Sequence, residues 1–292
     1  MDNFRPNNNR NRHYKRRMNN KNIIIRSIVI ALILAICSTL IFIACSNKKP
    51  EKETTTNKKP SQSHSQTTTK PKHEEDKTKP SEAGYNYGKP VPDSPIVGDT
   101  YFDDAIFIGD SRTEGFMIYT GLNNATFYTH KGLMVNTVFT SPVINLNGKK
   151  VSVIDAVKSN TKFKKAYIML GINELGWVYS NLFIEKYSSI VDSIKQTNPN
   201  AQIYVQSLIP VTATKASSDK VYNNKKIQEY NDLLQKMAKE KNVYYVNVAD
   251  ALADGSGCIP EDSAYDGIHL KKTYCIKWLD YLKTHTVAVK NS

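Results

Sequence analysis

At 292 residues the chain is long enough for one or two domains, and its formal net charge of +13 is unevenly spread. Residues 1–26 hold eight Lys/Arg against one acid and residues 46–100 ten lysines against eight acids, which leaves residues 101–292 with only +4. The basic excess belongs mostly to the leading segments, where it suits anionic lipid headgroups, and no Lys/Arg cluster with interleaved aromatics marks 101–292 as a nucleic-acid surface.

In chain order, residues 1–26 read as a basic cytoplasmic tail. Ser27 to Cys45 follows, a run of 19 residues without charge and dominated by Ile, Leu and Ala. As a helix it would be ~28 Å long, close to the ~30 Å hydrocarbon core of a bilayer, and apolar all round. It predicts one transmembrane helix or membrane-targeting segment, in one of two forms. One is an uncleaved signal anchor. The other is a lipoprotein signal with lipidation at Cys45, because Phe42-Ile43-Ala44-Cys45 resembles a lipobox, from which Phe42 and the long basic lead depart. The positive-inside tendency puts the tail in the cytoplasm and the rest of the chain outside, by a narrow bias of six basic residues against five near the two ends.

Residues 46–100 are rich in Thr, Lys, Pro, Ser and Glu, with Tyr85 and Tyr87 as their only aromatics. So little apolar surface does not offset the entropy of ordering, and a disordered tether is expected. From residue 101 the texture changes. Apolar runs at 105–109, 165–171, 202–208 and 243–248, with a weaker one at 125–129, predict buried strands. Between them Leu182, Ile184, Tyr187, Ile190, Val191 and Ile194 fall on one helical face. Val221, Ile227, Tyr230, Leu233, Leu234 and Met237 fall on another, and a last helix is expected from Lys272 to Lys283. Strands apolar throughout that alternate with amphipathic helices predict an α/β domain over 101–292, a three-layer α/β/α sandwich with a mainly parallel sheet. Ligands in such sheets bind at the carboxyl ends of the strands. Ser111 and Asn173 each come just after a predicted strand.

A serine hydroxyl becomes a nucleophile only with a base in reach, an oriented base needs an acid partner, and the tetrahedral intermediate needs fixed donors for its oxyanion. Candidates for each role stand in order. Phe107-Ile108-Gly109-Asp110-Ser111 resembles the first block of the SGNH/GDSL hydrolases, whose serine is the nucleophile. Lys131-Gly132-Leu133 is similar to the second block, whose glycine lends a backbone N–H to the oxyanion hole. Leu170-Gly171-Ile172-Asn173 is similar to the third, whose asparagine side chain is another donor. Tyr265-Asp266-Gly267-Ile268-His269-Leu270 resembles the last, which carries the base and its acid. The resemblance spans roughly 101–285 and implies a flavodoxin-like fold with Ser111, Asp266 and His269 as triad, and the Ser111 and Gly132 N–H groups with the Asn173 amide as oxyanion hole.

Other residues lie near these blocks. His130 would line the pocket or simply end a strand, and Trp177 would be a sugar platform or loop packing. Asp110 braces the turn. Cys258 and Cys275 flank the Asp266–His269 segment and would either form a disulfide bracing it, which an external location permits, or remain two free thiols. No metal-ligand cluster or phosphate-cradling loop stands out, so neither metal nor cofactor is expected. With the anchor and tether, the resemblance implies an extracytoplasmic serine esterase acting on acetyl or other acyl esters of cell-envelope glycan. The alternatives are an O-acyltransferase working with a membrane acyltransferase partner, and a non-catalytic glycan-binding surface protein.

Overall fold

The computed structural model describes residues 85–288; the basic tail, the 27–45 segment with Cys45 and most of the expected tether lie outside the described residues. Among the described residues no helix is long and apolar enough to cross a membrane. The strands are β1 (Ala105–Gly109), β2 (Thr126–Thr129), β3 (Ile144–Leu146), β4 (Lys149–Val151), β5 (Lys165–Met169), β6 (Gln202–Gln206) and β7 (Tyr244–Val246). The α-helices are α1 (Ser111–Thr120), α2 (Val153–Ser159), α3 (Ser180–Thr197), α4 (Ala213–Ser218), α5 (Asn224–Glu240), α6 (Val248–Leu252) and α7 (Lys272–Thr284).

Five strands form one sheet in the order β2-β1-β5-β6-β7, and every neighbouring pair is parallel. Each of the five apolar runs becomes one of these strands. Every residue of β1, β5 and β6 is buried, as a sheet covered on both faces requires. Helices α1, α6 and α7 pack on one another, as do α2, α3 and α5, which gives the sheet two covering layers. The chain leaves β1 toward β2 on one side and later toward β5, β6 and β7 on the other. The carboxyl ends of β1 and β5 therefore border the switch point where ligands bind in such sheets.

One aromatic ring from each strand joins a ladder across the sheet. Phe127, Phe107, Tyr167, Tyr204 and Tyr244 stand in register, with successive centroids 4.9, 4.8, 4.6 and 5.0 Å apart. Phe116 of α1 lies 5.4 Å from Phe107 and 4.5 Å from Trp278 of α7, so the ladder faces that helical layer. The Trp278 indole donates to Gln206 Oε1 at 2.8 Å, which satisfies one atom of a buried amide. Trp278→Ala would remove ring contacts and leave that oxygen without its donor. It is expected to destabilise the fold by ~3–5 kcal/mol in urea unfolding followed by circular dichroism, and a loss under ~1 kcal/mol would contradict this packing.

The domain begins before residue 101. Val91 is buried and its N–H donates to Tyr245 O at 2.8 Å, while Tyr85 and Tyr87 set their rings 4.9 and 5.6 Å from Tyr244. Ser94 and Val97 donate to the carbonyls of Thr284 and Lys283 at 2.6 and 3.0 Å. Residues 85–91, expected as part of the tether, thus cover the otherwise open edge of β7, and Ser94 and Val97 tie the segment to the end of α7. Two tyrosines and a valine supply what the segment's composition hides.

Candidate active site

β1 ends at Gly109, and Asp110 turns the chain into α1 as its N-cap, accepting from Arg112 N at 2.9 Å. Ser111 is the first residue of that helix, where a backbone N–H has no intrahelical acceptor. Asp110 is buried; burial lifts its carboxyl to about 6, opposed by the Arg112 N–H and guanidinium and by His269.

The base arrives on a short closed loop. Tyr265 N donates to His269 O at 2.9 Å and Lys271 N to Ser263 O at 2.8 Å, with Ala264 bridged to Leu270. Inside it, Asp266 Oδ1 accepts from the backbone of Ile268 at 3.0 Å and of His269 at 2.8 Å. Its Oδ2 lies 2.7 Å from His269 Nδ1, and His269 Nε2 lies 3.0 Å from Ser111 Oγ. Burial works against the Asp266 charge, yet the His269 N–H, the His269 ring and the Ile268 N–H outweigh it and hold the carboxyl at about 2. The loop turns at Gly267, whose φ is +82°, and a Cβ there would stand 2.6 Å from Lys215 Cβ. Glycine is required on both counts. The His269 and Asp266 side chains remain 40 % and 52 % exposed, so the relay opens onto solvent.

The two remaining blocks converge on the same end of the sheet. His130 N donates to Gly109 O at 3.2 Å, and Leu133 N closes a turn on His130 O at 3.0 Å. Gly132 sits in that turn at φ +74°, with open space around it, so conformation rather than crowding selects glycine. The Asn173 amide donates to Leu133 O at 3.0 Å and reaches Asp110 Oδ2 at 3.5 Å. Ser111, Gly132, Asn173, Asp266 and His269 are therefore brought to one place. His130 is exposed, and Trp177 is half-buried against the core.

Cys258 and Cys275 do not pair. Both are free thiols: Cys275 points into the core from α7, where burial pushes it up to about 12, and Cys258 lies 3.1 Å from Asn224 Nδ2. The hydrogen bonds within the 263–271 loop brace it instead. Among the described residues no group of three or more His, Cys, Asp and Glu is placed to hold a metal ion.

Two residues outside the sequence reading shape the site. Arg112 buries its guanidinium against backbone carbonyls. Glu174, next to Asn173, is fully buried and accepts from Val135 N at 2.6 Å, pinning the loop that carries Gly132. Burial pushes the Glu174 carboxyl up to about 8, against the Val135 N–H, and the Asp110 charge adds to the rise. A carboxyl raised from its ordinary 4.5 stabilises the fold fully below that value and loses the contribution as pH climbs through about 8. Glu174→Gln keeps an acceptor for Val135 without a titrating proton. Its melting temperature is expected to match wild type near pH 4 and exceed it increasingly toward pH 9. Parallel melting curves across that range would show Glu174 ionised in the folded protein.

The sequence profile of the GDSL-like lipase/acylhydrolase family matches residues 107–273, from β1 through the His269 loop. The chain belongs to this family. Every block of the GDSL-like site lies inside the match. No curated protein sequence matches the chain. Among solved structures it is similar to a Streptococcus pneumonia protein described as a platelet activating factor, at 23 % identity and a TM-score of 0.50, covering 63 % of this chain and 89 % of that one. It is also similar to a lipolytic protein of the G-D-S-L family from Desulfitobacterium hafniense, at 17 % identity and a TM-score of 0.48 over 61 % and 97 % of the two chains. Est24, a carbohydrate acetylesterase from Sinorhizobium meliloti, aligns at 14 % identity and a TM-score of 0.43 over 61 % and 96 %. At 23 % identity the first of these likenesses speaks to the fold alone.

Proposed function

We propose that the chain is a membrane-tethered, extracytoplasmic serine esterase that removes acetyl groups from envelope carbohydrate. One observation carries the chemistry: Ser111 Oγ, the two His269 ring nitrogens and Asp266 Oδ2 stand in one hydrogen-bonded line, with steps of 3.0 and 2.7 Å. With Nδ1–H given to Asp266, the Nε2 lone pair takes the Ser111 proton as Oγ attacks the ester carbonyl. The oxyanion then meets the Ser111 and Gly132 N–H groups and the Asn173 amide. Collapse expels the sugar alkoxide, which takes the proton from His269. Water, deprotonated by the same ring, releases acetate from the acyl-serine.

The setting supports the substrate class. The uncharged 27–45 run and the lysine- and threonine-rich segment after it support the reading of a membrane leash, and the open relay suits a polymer that a closed pocket would reject. Incubating the full-length chain with an O-acetylated chito-oligosaccharide and an unacetylated acceptor tests both chemistries. Free acetate that disappears in Ser111→Ala is the expected result. Acetyl transfer without net acetate release would overturn the esterase reading in favour of an O-acyltransferase. Digestion of the domain by protease added to intact cells is the expected sign of its external location, and protection from that protease would contradict it.

A further inference from the structure

The reaction above leaves the buried cation next to its nucleophile without a task. Of the Lys/Arg in residues 101–292, twenty-one are lysine and one is arginine, Arg112. It follows Ser111 directly and is only 3 % exposed. Taking a cation out of water costs several kcal/mol unless its donors and charge are met. Here the donors go to backbone. Nε donates to Ile268 O at 3.1 Å, one terminal nitrogen to Ile209 O, and the other to Pro210 O at 3.4 Å. Burial lowers the guanidinium to about 10, opposed by the charges of Asp110 and Asp266 and by Tyr222.

The placement of these partners is specific. Ile268 immediately precedes His269, while Ile209 and Pro210 lie on the chain leaving β6. The backbone of Arg112 belongs to the nucleophile turn, because its N–H is held by Asp110. One residue therefore joins the segment bearing Ser111 to the segment bearing His269. A lysine ammonium is a point donor and does not span three carbonyls as a planar fork does. In a domain that uses lysine everywhere else, the single arginine stands where a fork is needed.

We propose that Arg112 is a positioning residue for the esterase reaction, locking the Ile268–His269 segment onto the nucleophile turn so that Nε2 stays within reach of Ser111 Oγ. The proposal rests on the serine-esterase reading. It gives the fork and the charge separable consequences. Arg112→Lys keeps a cation and loses the fork, whereas Arg112→Met loses both. His269 is faced by Asp266, Asp110 and Ser111.

The test uses the full-length chain as wild type, Arg112→Lys, Arg112→Met and Ser111→Ala. p-Nitrophenyl acetate is the substrate, and active sites are counted by fluorophosphonate titration. Arg112→Lys is expected to lower kcat per titrated site ~10²-fold with KM within about threefold and the acid limb of the pH profile unmoved. Arg112→Met is expected to lose at least as much. Wild-type kcat per site in Arg112→Lys would overturn the proposal, even if Arg112→Met fails to fold. The His269 ring chemical shifts by NMR, assigned with His269→Gln, report the ring's placement independently of turnover. Ring shifts unchanged from wild type in folded Arg112→Met would also overturn it. Absence of Ser111-dependent turnover in wild type would instead sink the esterase reading, and the ring shifts would still decide the role of Arg112.

Discussion

Ser111→Ala and His269→Ala are each expected to lower kcat toward p-nitrophenyl acetate by ~10⁴–10⁶ while the protein stays folded. The first removes the attacking atom. The second leaves Oγ with no acceptor for its proton, since Nε2 at 3.0 Å is the base within reach. A serine hydroxyl at its own pKa is too weak a nucleophile to act unaided, so the two losses should be of similar size. They should also fail to add: the double variant is expected to be no slower than the worse single one. The residual rate reflects donors that survive, namely the N–H groups of Ser111 and Gly132 and the Asn173 amide. Both side chains are at least partly exposed, so alanine should leave the circular dichroism spectrum unchanged. Turnover near wild type in either variant would contradict the assignment.

Asp266→Asn is expected to cost ~10³–10⁴ in kcat with little change in KM, and for a different reason. Asp266 uses one oxygen for the backbone N–H groups of Ile268 and His269 and the other for His269 Nδ1. In asparagine the remaining oxygen would stay with the two backbone donors, turning the NH₂ toward the ring. His269 would then accept at Nδ1 and carry its proton on Nε2, the tautomer that does not take a proton from Ser111. The pH dependence has a defined sign as well. A carboxyl held at about 2, below its ordinary 3.8, adds stability above that ordinary value and loses it only as pH falls through about 2. Asp266 should therefore stay ionised across the working range, with no acid limb in kcat arising from it above about pH 4. More than half of wild-type kcat in Asp266→Asn would remove the orienting role.

Much of this arrangement can be read from the chain, and the parts that cannot have physical causes. The central strands are visible because both faces are buried, which turns β1, β5 and β6 into unbroken apolar runs. Helix α1 is not visible: it buries Arg112 and Thr113 beside Phe116, so no apolar stripe forms. The β3–β4 hairpin is short and mostly exposed, and its sequence lacks the alternation of a half-buried strand. Asp266 and His269 are recognisable because only two residues separate partners that hydrogen-bond directly. Arg112 and Glu174 escape notice because their partners are distant in sequence: Ile268 is 156 residues from Arg112, and Val135 is 39 from Glu174. A buried fork on carbonyls has no local pattern. The sequence leaves Cys258 and Cys275 open between a disulfide and two free thiols for the opposite reason: flanking the same loop in sequence says nothing of which way a thiol points, and Cys275 points into the core.

The central claim is that Ser111 is a nucleophile activated by His269. Fluorophosphonate labelling of the full-length chain, with the adduct located by peptide mass spectrometry, tests it most directly. A single adduct on the peptide containing Ser111, lost in Ser111→Ala and formed at least ~10²-fold more slowly in His269→Ala, is the predicted result. No adduct, or an adduct on another residue with Ser111 untouched, would contradict the account and leave a glycan-binding surface protein built on the same fold.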